Sequence, residues 1–256
     1  MSAGAPRLLC RLWRPIARGA LLALGPWLSL AAPAAADLWK SDPLTAARYA
    51  EPTGRYPHGV LGDAIEYGAL ELVYGSGQAA LTIRLPENRV FEDVAPRMID
   101  VDGDGRDEAG VVESDQRLGA RLAIYNGGGL IAATPFIGTR FRWLAPLGAA
   151  DLDGDGAIEL AYIDRPHLAK TLRVWRFEGG NLTEVGSLGG LTNHRIGEAD
   201  IAGGIRDCGA GPEMILATAN WAELVAVTFD GAEFATRTID DGTTRPQFAE
   251  AMACAN

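Results

Sequence analysis

Histidine is scarce in this sequence, and its three copies lie far apart. None has a spacing typical of metal ligands, such as H-x-H or H-E-x-x-H, which argues against a zinc site. The sequence also lacks the G-x-S-x-G frame of a serine nucleophile. No local segment therefore carries a catalytic signature, and a site would have to be assembled from distant loops. The histidines are His58, His167 and His194.

Basic charge is also scarce and unevenly placed. Four of the 23 basic residues, all arginines, lie in the first 36 residues, which contain no acidic residue. The other 19 stand against 33 acidic residues, a net charge of −14. A surface this acidic repels nucleic acid and anionic lipid, so we expect no nucleic-acid partner.

Residues 1–36 have the features of a secretory signal peptide. A basic leader precedes an apolar run at 19–30, and a small-residue Ala-Ala-Ala cleavage site follows at 34–36. A membrane anchor is the alternative, but prolines interrupt a run that barely reaches the roughly 17–25 residues of a span. We therefore expect a periplasmic or secreted protein that is not membrane-spanning after cleavage. The mature domain would be 37–256.

Cysteine is sparse as well, and two copies remain after the predicted cleavage, Cys208 and Cys254. An even count in an oxidising compartment suggests a disulfide. The phase of the repeat described below also brings the two segments close. Two unpaired, buried thiols are the alternative.

Apolar residues at sustained helical spacing are absent, so the sequence predicts an all-β fold. What it contains instead is a pair of acidic, glycine-rich loops with the shared template D-x-D-G-D-G-x-x-E. The loops begin at Asp100 and Asp151. Two loops with one template indicate an internal repeat.

A second marker keeps the same period. Short turns of the form aromatic-x-Gly occur at 125–127, 177–179 and 229–231, each 52 residues after the last. Each turn lies between two alternating apolar runs, which predicts a β-hairpin. Two markers in phase support the repeat independently of each other.

The second and third repeats each accommodate four short strands. Four strands per period of about 40–50 residues are typical of a β-propeller blade. Weaker copies of the acidic loop at Asp63 and Asp200 predict four recognisable blades over about 58–240. Residues 248–252 lie where another first strand is due, which leaves open a fifth, partial blade closed by the chain ends. The strands predicted for the two clear repeats are 97–100, 109–113, 121–125, 130–136, 147–151, 160–163, 171–177 and 182–186.

The composition of the acidic loops favours calcium. Their carboxylates would repel one another unless a hard cation lay between them, and calcium takes six to eight oxygen ligands where magnesium demands stricter geometry. Odd-numbered positions of a tight loop point inward and therefore supply the ligands. The predicted ligands are Asp100, Asp102, Asp104, the carbonyl of Arg106, Glu108, Asp151, Asp153, Asp155, the carbonyl of Ala157 and Glu159.

An EF-hand shares the first six positions but requires an acid at position twelve, where this chain has Val111 and Tyr162. The template between two apolar strands instead resembles the FG-GAP/VCBS repeat of integrin α-chain propellers and of many exported bacterial proteins. The resemblance implies a single β-propeller domain over 37–256 with two mainly structural calcium ions. It assigns the ligand roles to the carboxylates named above, and it implies that partners bind on a propeller face.

Two functions follow from this reading. The favoured one is a non-catalytic, calcium-stabilised scaffold that binds a protein or glycan ligand. The alternative is an exported hydrolase or lyase on the same fold. A flat face with exposed aromatic residues would favour binding, whereas a pocket with converging histidines and carboxylates would favour catalysis.

Overall fold

Seventeen β-strands and one short helix occupy the part of the chain that the computed structural model describes, which is Met1, residues 39–75 and residues 79–255. The predicted all-β class is confirmed. The predicted signal peptide lies, apart from Met1, outside the described residues. The helix is far too short to cross a bilayer, and no other helix of the described residues is a candidate.

The first sheet has eight antiparallel strands, of which six form the path β1-β2-β4-β6-β7-β8, while β3 pairs with β2 and β5 with β6. Every residue of β6 is buried, because this strand has neighbours on both faces and both edges. The strands are β1 (Leu44–Thr53), β2 (Glu66–Tyr74), β3 (Ala79–Arg84), β4 (Arg89–Phe91), β5 (Arg97–Ile99), β6 (Glu108–Asp115), β7 (Gly119–Asn126) and β8 (Gly129–Ala133).

The second sheet is a four-stranded antiparallel meander, and the third is a similar meander with one extra strand, β13, on β15. Their outermost strands, β12 and β17, are mostly exposed, as polar edge strands should be. The strands are β9 (Leu144–Ala150), β10 (Ile158–Asp164), β11 (Thr171–Glu178), β12 (Asn181–Gly189), β13 (Leu191–Thr192), β14 (Gly204–Asp207), β15 (Pro212–Thr218), β16 (Leu224–Phe229) and β17 (Phe234–Asp240).

The eight strands predicted for the two clear repeats are confirmed as β5–β8 and β9–β12, with ends shifted by a few residues. The three predicted hairpin turns are also confirmed, since they connect β7 to β8, β11 to β12 and β16 to β17. The division into four separate four-stranded blades is not supported. The first repeat merges with the second into one sheet, because β4 pairs with both β2 and β6.

The C-terminal segment is helical, so the expectation of another first strand at 248–252 is wrong. Helix α1 spans Arg245–Met252 and buries Phe248 and Ala251 against the third sheet. Thr244 caps the helix in a capping box with Gln247, and proline stands in the first turn. These local signals outweigh the weak alternation of the segment. Within the described residues, none of the three sheets is closed by pairing of the first and last strands.

The two weaker copies of the acidic loop are placed differently from the sequence prediction. Gly68 and Glu71, assigned to a loop that starts at Asp63, lie inside β2, and it is Glu66 that opens this strand as Glu108 opens β6. In the third sheet the short loop begins at Asp207, whose Oδ1 accepts hydrogen bonds from two glycine N–H groups. Asp200 lies outside that loop.

The hydrophobic core lies between the sheets. One cluster of buried residues, which includes Ile124, Trp143 and Leu160, joins the first and second sheets. A second cluster, which includes Leu172 and Leu216, joins the second and third. The three sheets therefore bury one another's faces rather than forming independent layers.

The predicted disulfide is confirmed. Cys208, in the loop between β14 and β15, is bonded to Cys254, just beyond α1. The bond fixes the end of the helix to the third sheet. It also suggests an oxidising environment for the folded protein.

Candidate functional site

The two intact acidic loops connect the first and second strands of their repeats, β5 to β6 and β9 to β10. Each curls around its first aspartate. The N–H of Gly105 donates to Oδ2 of Asp100 at 2.9 Å, and the N–H of Gly156 donates to Oδ2 of Asp151 at 3.0 Å. Both glycines have φ near +90°, which a side chain would oppose. The template residues therefore build one conformation twice.

Each loop brings three carboxylates together. The side-chain oxygens of Asp100, Asp102 and Glu108 lie within 4.8 Å of one another, and so do those of the second group. Two acidic clusters that could hold a metal ion are thus present, with an all-oxygen donor set that suits a hard cation. The second group is Asp151, Asp153 and Glu159.

The first cluster contains an unsatisfied acceptor. Oδ1 of Asp100 is buried and has no hydrogen-bond partner. A buried carboxylate oxygen without a partner is costly, and a cation in the cluster would remove the cost. This residue therefore fits a bound metal better than a bare turn. Both oxygens of Asp151, in contrast, accept hydrogen bonds from backbone N–H groups.

Asp104 and Asp155, the third predicted ligand of each loop, stand outside the two clusters. Asp104 pairs with its neighbour Arg106, whose Nη2 lies 2.6 Å from Oδ2. That guanidinium lowers the pKa of Asp104. Asp155 pairs with Arg176 at 3.0 Å. The structure thus divides the predicted ligands into a converging set and a set held by arginine.

Arg176, on β11, distinguishes the second loop from the first. Its guanidinium reaches Asp153 at 2.5 Å and Glu159 at 2.7 Å, in addition to Asp155. In the strand register Arg176 stands directly opposite Glu159. The second cluster therefore has an arginine paired with two of its carboxylates, whereas Arg106 of the first loop pairs with Asp104, outside the cluster. Sequence comparison of the loops alone could not reveal this, because the arginine is on another strand.

The surroundings of the two buried glutamates, Glu108 and Glu159, change their pKa values. Burial, with smaller contributions from Asp102, Asp104 and Asp100, raises the pKa of Glu108 to about 7. Burial also raises the pKa of Glu159, although Arg176 opposes the shift. The first cluster thus concentrates negative charge with no compensating side chain inside it.

A second candidate site lies at the opposite end of the same strands. β10 starts at its acidic loop, and the segment after its other end, residues 165–168, lines a pocket that encloses about 30 Å³. All three histidines meet here around Trp143. Nε2 of His167 lies 3.0 Å from Nδ1 of His194, and the rings of His194 and Trp143 are 4.9 Å apart. His58 lines the same pocket and stacks on Phe141 at 5.0 Å.

A buried carboxylate orients His58. Oε1 of Glu92 lies 2.5 Å from Nδ1 of His58, and its other oxygen accepts a hydrogen bond from the hydroxyl of Ser114. Glu92 is fully buried, which raises its pKa. The contact leaves Nε2 as the remaining polar atom of the His58 ring. We refer to the cavity lined by His58, Val60, Phe141, Arg142, Trp143, Arg165, Pro166, His167 and Leu168 as the histidine pocket.

Backbone strain is concentrated beside the histidine pocket. Phe141 and Arg165, both in its wall, have φ values of 56° and 46°. Lys170, at the end of the same loop as Arg165, has φ of 50°. Side chains adopt this left-handed region at a cost of about 1–3 kcal/mol per residue. Such strain is typical of functional sites and persists only where the surroundings enforce it.

Sequence patterns do not reveal this site, because each histidine comes from a different loop. Val60, two residues after His58, accepts a hydrogen bond from the N–H of Gly197, three residues after His194. The loop before β2 therefore touches the loop before β14, across the whole chain. Only the packing of the three sheets brings these loops together, and no local spacing records it.

Comparison with known families supports the resemblance seen in the sequence. Residues 100–162 match the model of the FG-GAP-like repeat, a stretch that contains both intact acidic loops. The chain thus carries FG-GAP-like repeat sequence, as the template predicted. No curated protein matches the chain at a significant level.

One solved structure with a similar chain is that of the rhamnogalacturonan lyase YesW. It has 15% sequence identity and a TM-score of 0.42, and the match covers 70% of this chain. The chain spans 44% of the length of that lyase. A similarity this low supports no conclusion about the fold or activity of the present protein.

Proposed function

We propose that the chain is an exported, calcium-stabilised β-propeller of the FG-GAP type that acts as a non-catalytic binding scaffold. The observation that carries this proposal is the convergence of Asp100, Asp102 and Glu108 around a buried, unpartnered carboxylate oxygen. The disulfide, the acidic surface and the leader sequence support export. The partner class is a protein or glycan.

The arrangement of the sheets supports a propeller. Successive meanders place their first strands side by side, since β9 packs against β14 and Gly148 faces the side chain of Ile205. Residues of β5 and β9 line one open cavity. The last strands of the second and third sheets, β12 and β17, are in contrast mostly exposed. In a propeller, the first strand of each blade lies near the central axis and the last strand lies at the outside.

Calcium is the cation that the loops suit best. Three carboxylates in the first cluster offer hard oxygen donors, and the carbonyl of Arg106 is near enough in sequence to add a fourth. Asp104 would have to leave its ion pair with Arg106 to join them. A bound calcium would neutralise the carboxylates and stabilise the folded loop. Extracellular modules function with dissociation constants of about 10⁻⁴–10⁻³ M, so a modest site suffices.

Calcium should raise the melting temperature. At a hundredfold excess over Kd a single site contributes about 2.7 kcal/mol, or roughly 5–10 °C for a domain of this size. Melting curves with calcium and with EDTA measure the shift. Asp102→Ala should remove most of it and Asp153→Ala less, because Arg176 already neutralises the second loop; the double variant should show none.

Glu87→Ala, which removes an exposed carboxylate far from both loops in sequence, serves as the control and should keep the full shift. Identical melting curves in calcium and EDTA would exclude the proposed stabilisation. A shift that survives in the double variant would place calcium elsewhere.

An exported hydrolase or lyase is the second candidate, and the histidine pocket is the observation that favours it. A buried carboxylate on Nδ1 of His58 leaves Nε2 directed as a general base requires. Incubation with chromogenic ester and glycoside substrates tests this reading. Turnover that His58→Gln abolishes would support it, and turnover that is absent or unchanged in the variant would contradict it.

A further inference from the structure

The lining of the histidine pocket contrasts with the rest of the molecule. The chain has 33 acidic and 23 basic residues, yet the described residues that line this pocket include two arginines, two histidines and no acidic residue. A basic pocket on an acidic protein is not a consequence of overall composition. Asp164 neutralises Arg165 and Glu92 lies against His58, so the charge that can attract an anion there is that of Arg142.

Arg142 carries the available positive charge. The guanidinium of Arg165 is neutralised by Asp164, with contacts of 2.8 and 2.9 Å to its two oxygens. Arg142, in contrast, donates from Nη1 to the carbonyl of Phe141, and no carboxylate of the described residues pairs with it. A guanidinium has five donors in a planar fork, so most of those of Arg142 remain for a ligand.

The other walls are apolar and the space is small. Val60, Trp143 and Pro166 are buried, and Leu168 is exposed at the rim. The enclosed space measures only about 30 Å³, so the pocket can surround one small group such as a carboxylate, while the rest of a ligand would lie at its open rim. A phosphate group would leave the apolar walls unused. An organic acid would use both the walls and the guanidinium.

We propose that the histidine pocket binds the carboxylate of a small organic acid, with Arg142 forming the charge-assisted contact and Nε2 of His58 a second polar contact. The inference names a ligand class for the binding role proposed above and rests on that role. It does not depend on calcium, since the acidic loops lie at the other ends of the strands.

Titration with small probes tests the ligand class. The probes are glucuronate and benzoate, with glucose as the neutral counterpart of the first and inorganic phosphate as the purely ionic one. Isothermal titration and the imidazole NMR signals report binding, and all three histidines of the chain are at this site. We expect saturable, millimolar binding of at least one carboxylate that shifts these signals. Glucose or phosphate binding as strongly, or no carboxylate binding, would overturn the proposal.

Two matched arginine variants test the site. Arg142→Gln should weaken carboxylate binding at least about 10-fold, as expected for loss of a charge-assisted contact. Arg140→Gln removes the same charge from an exposed neighbour in the same loop, which lies over Phe141 but does not line the pocket, and should leave the affinity unchanged. Equal weakening in both variants, or in neither, would contradict the assignment.

Two further measurements separate this proposal from the others. If Arg142→Gln retains its calcium-dependent melting shift, its loss of binding is not a loss of fold. In the wild-type protein, added salt should weaken carboxylate binding, because screening acts on the contact with Arg142; salt-independent binding would contradict the proposal even if the variant does not fold. Absence of a calcium shift would refute the calcium site and leave the titration result standing.

Discussion

Replacing Glu66 by glutamine is expected to stabilise the protein at neutral and alkaline pH. Glu66 is 3% exposed at the start of β2, and no ion pair joins it to a basic side chain of the described residues. Burial, with Glu92, Asp63 and Asp93 nearby, raises the pKa of Glu66 from 4.5 to about 9. Glutamine keeps the shape of the neutral carboxyl and never acquires the charge.

The sign follows from proton linkage. Below pH 4.5 the carboxyl is protonated in both states, and its contribution to stability is fully present. Between pH 4.5 and about 9 the unfolded state releases the proton and the folded state keeps it, so the free energy of unfolding falls by about 1.4 kcal/mol per pH unit. At pH 8 the Glu66→Gln protein should therefore be more stable than wild type by several kcal/mol.

Urea unfolding at pH 4.5, 6 and 8 measures this difference, which should grow with pH. Glu71→Gln is the control, because Glu71 lies on the same strand but pairs with Arg48 at the surface. That variant should follow the wild-type pH dependence. A Glu66→Gln protein that is less stable than wild type at pH 8 would show that the charged form is stabilised in the fold.

Loss of the disulfide is expected to be the largest destabilisation by a single conservative change. Cys208 and Cys254 are 46 residues apart. Closing a loop of that length restricts the unfolded chain and raises its free energy by about 4 kcal/mol at 25 °C. Cys254→Ser should therefore lower the melting temperature by roughly 8–16 °C under oxidising conditions.

Reductant provides the matched measurement. It should lower the melting temperature of the wild-type protein to that of Cys254→Ser and leave the variant unchanged. Cys208→Ser should behave as Cys254→Ser does, and the double variant should lose no more than either. Wild-type melting that is insensitive to reductant would mean that the bond contributes little to stability.

The features that could be predicted from the sequence are those encoded within a few residues. The hairpins and the acidic loops depend on glycines at positions of positive φ and on aspartates that cap neighbouring N–H groups. Strand order within the meanders follows from the short connections. For these elements, local chemistry determines the structure, and the repeat made each local signal visible more than once.

The features that escaped prediction depend on contacts between elements or on competing local signals. Helix α1 lacks a strong apolar stripe, although the Thr244–Gln247 capping box was a usable sign of its start. The sequence aligns the two weak repeats incorrectly with the clear ones because their loops differ in length. The buried glutamate that begins the second strand of a repeat gives the better alignment. Arg176 and the histidine pocket arise from strand pairing and sheet packing, which spacing along the chain does not record.

The contact between the loops of Val60 and Gly197 constrains the order in which parts of the protein can fold. His58 is made early and His194 late, so the histidine pocket cannot exist until the third sheet has folded onto the other two. The acidic loops, built from neighbouring residues, can form while the chain is still emerging. A protein that folds in this order completes its acidic loops first and the histidine pocket last.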